Sequence, residues 1–356
     1  VNRKTAIFWP YLYDSAVSDL SWSWEPRYRW VAEALRREGF TVLNHPRFNC
    51  DLGESTPYEG EKECDIVIYN HCDRGEIRGD VIEAKHTWFF KPTVPDDFQT
   101  TLDTLGYGSY SSITYEKPDY LGIDETFVDK FFETTVKGWV DKNSSKWGDG
   151  HFSIEPENIE GPYALVVGQC GGDSVVNRQD FGSYFSKLEA VISELSKVYK
   201  KKIVVKLHPY TNGRDYKKGV DQDYIKRLTE VYQRISDRIT VIGDFSSIHH
   251  YLPQCEFAIV GNSGAGFEAM MHHKPIISFC HPEYHWVTFD LRKICELERA
   301  TVTEGWFDKE ASDRFLYWYM RNYCFFDLDS AQFRVRELLD EEKNQFIKKF
   351  YADLSI

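Results

Sequence analysis

The sequence predicts an α/β protein built from two Rossmann-like halves, and three observations carry that prediction. Short apolar runs recur along both halves, each followed by polar or small residues and a helical pattern, which is the rhythm of a parallel sheet with crossover helices. The 356 residues are long for one α/β domain and comfortable for two. A polar stretch rich in Gly and Ser, 143–160 (NSSKWGDGHFSIEPENIE), has the character of an inter-domain linker.

In the first half, Thr5–Trp9 is a short apolar run that reads as a buried strand, followed by a long aromatic loop. Arg27–Glu38 has helical spacing, with Trp30, Val31, Ala34 and Leu35 on one side and Gly39 as its C-terminal stop. Thr41–Leu43 and Asp65–Tyr69 read as the next strands, and Trp88–Lys91 as a fourth. No G-x-G-x-x-G follows the first strand, so the dinucleotide fingerprint is missing. The third strand ends in Asn70-His71-Cys72-Asp73-Arg74. His71, Asp73 and Arg74 there read either as substrate contacts or as a capped turn. The run 105–113 (LGYGSYSSI) reads as a flexible loop whose Tyr107 and Ser109 either line a sugar site or serve turn chemistry alone. Phe127–Val140 reads as a long helix.

In the second half, Tyr163–Gly168 restarts the strand pattern, the turn 169–174 (QCGGDS) follows, and Phe185–Tyr199 is an amphipathic helix. Ile203–Leu207 and Phe257–Val260 are strands ending at His208-Pro209 and at Asn262-Ser263-Gly264-Ala265-Gly266, past the carboxyl ends where open α/β sheets bind ligands. Farther on, 281–290 (HPEYHWVTFD) is rich in rings and carboxylates, and Asp313–Cys324 and Ala331–Tyr351 look helical.

Each suggestive segment has two readings. The turn 262–266 leads into a helix, so backbone N–H groups and the dipole there suit a phosphate, with Ser263 adding a hydroxyl; equally, Ser263 caps the helix and the glycines permit packing. It is not a Walker A loop, because no Gly-Lys-Ser/Thr follows. Glu268 suits ribose hydroxyls, or simply the positive end of a helix. Pro209 fixes the chain after His208, whose imidazole suits a phosphate oxygen or a leaving group. Lys206 shares the strand face two residues earlier. Asp173, in a Gly-Gly turn, is placed for a general base or, with Ser174, for a cap.

Composition narrows the function classes. A net charge of −13 without a long basic run argues against nucleic acid as a partner. Eight scattered cysteines (Cys50, Cys64, Cys72, Cys170, Cys255, Cys280, Cys295, Cys324) form no C-x-x-C pair and read as reduced residues of a cytoplasmic protein. Aspartates at 221–223 and 327–329 sit in helix-cap or surface contexts, and His249-His250 and His272-His273 are adjacent pairs that share no helix face, so no metal site is expected. Aromatics at 16% suit sugar platforms or large cores. No apolar run is long enough to span a bilayer. The opening VNRKTAIFW does not resemble a signal peptide, and its valine start suggests a trimmed terminus.

Three ordered segments, ALVVGQCGGDSVV, IVVKLHPYT and FSSIHHYLPQCEFAIVGNSGAGFEAMMHHKPIISF, together resemble the capsular-polysaccharide synthase family, whose best-known members are Kdo transferases. The resemblance rests on Gln169, Asp173 and Ser174; on Lys206, His208 and Pro209; and on Asn262, Ser263, Gly266, Glu268, Ala269, Lys274 and Pro275, and it covers roughly residues 163–280. It implies a GT-B fold, two Rossmann-like domains facing a central cleft. Residues 1–150 would bind the acceptor, 160–325 the nucleotide sugar, and 326–356 would form C-terminal helices.

By the same resemblance, His208 and Ser263 hold donor phosphate and Glu268 the ribose. Gln169, Ser174, Lys206, Pro209, Asn262, Gly264, Ala265 and Gly266 complete the donor site. Asp173 and His208 are the expected catalytic pair, and the residue patterns of the first half, rather than the resemblance, offer His71, Asp73, Arg74, Tyr107 and Ser109 as acceptor contacts. The implied activity is metal-independent transfer of a sugar, from CMP-Kdo or another nucleotide sugar, to a surface glycan. The expected partners are that donor and that glycan, with peripheral membrane association through a lipid-linked acceptor and no cofactor. Two alternatives stand beside it: a CDP-glycerol-type glycerophosphotransferase and a non-catalytic glycan-binding protein.

Overall fold

The computed structural model describes residues 4–9, 21–45, 51–60, 63–70, 83–93, 99–145, 156–169, 184–208, 222–244, 246–302 and 305–340. Its strands, in chain order, are β1 (Lys4–Trp9), β2 (Phe40–Asn44), β3 (Thr56–Pro57), β4 (Glu63–Asn70), β5 (Glu83–Pro92), β6 (Thr100–Asp103), β7 (Tyr163–Val167), β8 (Lys202–Lys206), β9 (Ile239–Ile242), β10 (Cys255–Val260), β11 (Ile276–Ser278), β12 (Phe289–Asp290) and β13 (Cys324–Phe325). The chain forms two compact units. One joins residues 1–116 to 318–356, and the other is 117–317.

The first unit holds a sheet of order β13-β6-β5-β4-β1-β2-β3. Strands β1 to β5 are parallel, and β6 and β13 add an antiparallel edge. Alternating residues of one strand feed opposite faces, as the pleat requires. Ala6 and Phe8 join Tyr28, Val31 and Leu35 of the helix Ser21–Arg37 and Val335 of the helix Leu328–Leu339, whereas Ile7 joins Val67, Tyr69 and Phe89 on the other face. Asp327 starts the second of these helices by accepting the Ser330 N–H at 2.8 Å. The predicted helix Asp313–Cys324 is shorter than expected: Lys309–Trp318 is α-helical, a π turn covers Tyr319–Tyr323, and Cys324 begins β13. Strands β3, β6 and β13 are additions that short, mixed segments concealed.

The second unit holds a fully parallel sheet of order β12-β11-β10-β7-β8-β9. The chain runs from β7 through β8 to β9, then returns to place β10 on the other side of β7 and continues through β11 to β12. The switch point therefore lies between β7 and β10, where an open α/β sheet leaves a crevice at its carboxyl edge. Both faces are covered. Leu188, Val191, Ile192 and Leu195 of the helix Tyr184–Val198 pack on Ala164, Val166, Ile203 and Val205. Such two-sided burial explains why these strands read as continuous apolar runs rather than alternating ones. The large rings serve the cores: Trp88, Tyr28, Tyr120, Tyr163, Tyr184, Tyr251, Tyr284 and Tyr319 are fully buried. Of the described cysteines, Cys64, Cys255, Cys280 and Cys324 are buried free thiols and Cys295 is exposed. Among the described residues, no helix is long and apolar enough to cross a membrane.

Candidate functional site

One register row crosses the carboxyl edge of the second sheet: Asp290 pairs with Ser278, Ser278 with Val260, Val260 with Val167, Val167 with Lys206, and Lys206 with Ile242. Residues one to three past this row are therefore neighbours on one edge, although the sequence spreads them from 168 to 281. Gln169, His208, Asp244, Asn262, Ser263 and His281 all belong to that edge.

At the switch point, Gln169 clamps the two central strand ends together. Its amide Nε2 donates to the Asn262 carbonyl at 2.8 Å, and its Oε1 accepts the Asn262 N–H at 2.6 Å. The side chain thus imitates one more residue of ladder between β7 and β10. The Gln169 N–H in turn donates to the buried Tyr184 hydroxyl at 3.0 Å. A side chain on Gly261 would place its Cβ 2.5 Å from Gln169 Oε1, so the clamp closes only over glycine. The two hydrogen bonds fix the loop starts after β7 and β10 against each other.

The turn that follows is held from several sides. Ser263 Oγ accepts the Ala265 N–H at 3.2 Å, and the Ser263 carbonyl accepts the Gly266 N–H at 3.1 Å and the Tyr284 hydroxyl. Ser263 thereby braces the turn one residue before Gly264, the helix's N-cap, which has no side-chain cap. Gly266 lies under Tyr284, where a Cβ would meet the ring at 2.3 Å. The helix Ala265–Met271 has only seven residues, too short for its dipole to make an anion site alone. The N–H groups of Ser263 and Gly264, however, donate to nothing among the described residues.

Glu268 lies in that helix, 5% exposed, and its carboxyl makes no hydrogen bond among the described residues. Burial pushes its pKa up to about 8, so the acid is largely protonated at neutral pH. A buried polar group of this kind, with no compensating hydrogen bond, is costly in a core.

Lys206 is also buried, but it is spoken for. Its ammonium donates to the Asp244 carbonyl at 2.5 Å and lies 3.3 Å from Asp244 Oδ1. Burial lowers the Lys206 pKa, against the pull of Asp244. Asp244 also accepts the Ser246 N–H at 2.9 Å and the Ser246 hydroxyl, which touches the Tyr251 hydroxyl at 2.9 Å. Lys206 thereby fixes the loop after β9. His208, two residues on, is partly buried at the same edge, and the Gly168 backbone runs beside it, a Cβ there lying 3.5 Å from His208 N.

Asp173, Ser174, Pro209, His71, Asp73 and Arg74 lie outside the described residues. Tyr107 and Ser109 lie in the first unit and are buried, Tyr107 under the Lys91 ammonium at 4.5 Å. Their loop, expected to be flexible, is organised by buried Asp103. That carboxylate accepts the N–H groups of Leu105 (2.7 Å), Gly106 (3.1 Å) and Ser112 (3.1 Å), the Ser112 hydroxyl (2.5 Å) and the Tyr323 hydroxyl (2.7 Å). A carboxylate with this many donors pins a turn, which explains the small and hydroxylated residues of 105–113.

Sequence reading missed Asp244, Tyr284 and the pair His281–Asp290, because each gains its meaning from a partner on another strand. It also treated His249 and His272 as separate. They meet, His249 Nδ1 lying 2.8 Å from His272 Nε2 while His249 Nε2 lies 3.0 Å from the Ser144 carbonyl. No group of three or more His, Cys, Asp or Glu side chains placed for a metal ion occurs among the described residues.

Two solved structures of KpsC from Thermosulfurimonas dismutans are similar to the chain. The beta Kdo 2,4 transferase is 14% identical with a TM-score of 0.54, covering 91% of this chain and 92% of that one. The beta Kdo 2,7 transferase is 13% identical with a TM-score of 0.50, covering 95% and 100%. At such identities the likeness shows the fold. No curated protein matches the sequence. The family model for capsule polysaccharide biosynthesis proteins matches residues 137–325, which is more than half of the chain. The chain therefore belongs to the capsule polysaccharide biosynthesis protein family, and its fold is that of the GT-B glycosyltransferases.

Proposed function

We propose that this glycosyltransferase moves a sugar from a nucleotide-sugar donor to a surface-glycan acceptor, with CMP-Kdo as the donor. The observation that carries the reading is Glu268: a buried carboxyl without a partner among the described residues, in the helix that follows two N–H groups undonated among those residues at the Rossmann switch point. A nucleotide answers both needs, since ribose hydroxyls donate to the carboxyl and a phosphate accepts from the Ser263 and Gly264 N–H groups. The Kdo choice follows the motif resemblance and the fold shared with the two KpsC enzymes.

In this reading the bond between the sugar and its phosphate breaks through an oxocarbenium-like state. The negative charge growing on the departing phosphate is met by the two N–H groups and by His208. Asp173 takes the proton of the acceptor hydroxyl. Gln169 and Lys206 act at one remove, by fixing the strand-end loops. The acceptor belongs to the first unit, with His71, Asp73 and Arg74 as its contacts, and a lipid-linked acceptor brings the enzyme to a membrane surface.

The test is a panel of CMP, UDP, GDP, CDP-glycerol and nucleotide sugars, scored by thermal protection and by product. Protection by CMP and turnover of CMP-Kdo to a glycoside support the reading. His208→Ala then weakens nucleotide binding about tenfold or more, while Asp173→Asn spares binding and abolishes transfer. CMP together with a phosphodiester product assigns a glycerophosphotransferase instead. Glycan binding without turnover of any donor assigns a binding protein, and no protection by any nucleotide refutes the donor site.

A further inference from the structure

The loop that leaves β11 holds a second imidazole at the carboxyl edge of the six-stranded sheet. His281 lies three residues past Ser278, the strand's last residue, and its Nδ1 is 2.7 Å from Asp290 Oδ2. Asp290 ends β12 beside Ser278, whose hydroxyl donates to Oδ1 at 3.0 Å, and Arg292 Nε lies 3.3 Å from Oδ2. Burial alone would raise the Asp290 pKa. The hydrogen bonds from His281 and Ser278 and the nearby charges outweigh it and hold the group below the ordinary carboxylate range. A carboxylate only accepts, so the proton of a neutral His281 ring sits on Nδ1 and its Nε2 is left as an acceptor.

The ring is held as a functional group would be. It lies against the His285 ring, centroids 3.9 Å apart and planes tilted by 36°, and His285 itself donates from Nδ1 to the Pro282 carbonyl at 2.9 Å. The His281 backbone has φ +45°, the left-handed region that a non-glycine residue enters at a cost. Its side chain is 32% exposed, and Nε2 takes no hydrogen bond among the described residues. The loop also abuts the candidate site. Cys280 Sγ lies 3.5 Å from where a Gly261 Cβ would be, and Tyr284 covers Gly266 and bonds the Ser263 carbonyl.

We propose that His281, oriented by Asp290, accepts a hydrogen bond from a hydroxyl of the bound donor through Nε2 and is a specificity-determining residue of the site. The proposal rests on the nucleotide-sugar reading of that site. The hydroxyl belongs either to the transferred sugar or to the nucleotide ribose, and the two sources separate experimentally.

The experiment titrates the full chain and its His281→Ala, His281→Gln and Asp290→Asn variants with CMP, UDP, GDP, their 2′- and 3′-deoxy forms, and CMP-Kdo, with thermal unfolding run in parallel. His281→Ala should bind the hydroxyl-bearing ligand about tenfold more weakly, the effect of one lost hydrogen bond. His281→Gln, whose amide oxygen still accepts, should keep most of the affinity, and Asp290→Asn should fall between the two. A loss seen only with CMP-Kdo assigns a sugar hydroxyl. A loss also seen with a bare nucleotide, and absent for one deoxy form, assigns the ribose. The proposal is overturned if folded His281→Ala binds every ligand as wild type does, or if His281→Gln loses as much affinity as His281→Ala. Wild-type protein that binds no nucleotide or nucleotide sugar overturns the donor reading itself, and this proposal with it.

Discussion

Replacing Glu268 with Gln should make the ligand-free protein more stable, by an amount that grows with pH. The carboxyl is 5% exposed and has no hydrogen-bond partner among the described residues, and burial raises its pKa from 4.5 to about 8. An acid whose folded-state pKa is raised contributes stability that is fully present below 4.5 and is lost as pH rises through about 8, because over that window the folded chain holds a proton that the unfolded chain has released. At 1.36 kcal/mol per pH unit, the loss is about 3 kcal/mol at pH 7 and about 5 kcal/mol above pH 8. Glutamine keeps the shape and cannot ionise, so the variant avoids that loss. For a unit of this size, each kcal/mol moves Tm by roughly 2–4 °C. The gain over wild type should therefore be roughly 6–12 °C larger at pH 7 than at pH 4. The assay is calorimetric or fluorimetric unfolding of both proteins from pH 4 to pH 8.5. Comparing the slope with pH removes any fixed difference between a buried amide and a buried acid. Parallel Tm–pH curves would refute the claim that Glu268 is a buried acid without a partner. In the same assay, saturating nucleotide should protect wild type more than the variant.

Two further predictions concern the frame of the site. Gln169→Glu removes the donor that reaches the Asn262 carbonyl at 2.8 Å and sets an anionic oxygen against it, which should cost about 1–3 kcal/mol and weaken nucleotide binding; unchanged Tm and affinity would show that the clamp carries no energy. His272 is held at about 4 by burial, then by the charges of His249, Lys274 and His273, and His249 is lowered by burial as well. For these bases the unfolded chain binds the extra protons, so stability is lost as pH falls from 6.5 through about 4; His272→Gln should move the acid unfolding midpoint down by roughly half a pH unit, and an unmoved midpoint would reject the histidine pair as the acid-sensitive element.

The second unit was the more legible half. Tyr163–Val167, Lys202–Lys206 and Cys255–Val260 are buried on both faces, so each had to be a short continuous apolar run, and each was readable as such. Gly168, Gly261 and Gly266 each meet another element within a Cβ's reach, which is the physical reason glycine is there, and only the structure showed what each one meets. The first unit was harder. β3 and β13 are two residues long, below any periodic signature, and β13 closes an edge that begins more than 200 residues earlier at β6.

The sequence by itself determined the α/β class, where its parallel strands end, and the ordered motifs that place the chain in its family. Local pattern suffices there, because hydrophobic periodicity and turn chemistry act over a few residues. Tertiary structure alone decided which of those residues are already committed: Lys206 to Asp244, Gln169 to Asn262, Asp103 to its loop, and His281 to Asp290. It also decided that Glu268 has no hydrogen-bond partner among the described residues, and that residues 318–340 rejoin the first unit. A side chain's charge, burial and remaining hydrogen-bonding capacity depend on groups brought beside it from distant strands, and the order of a sheet is not written in the neighbours along the chain.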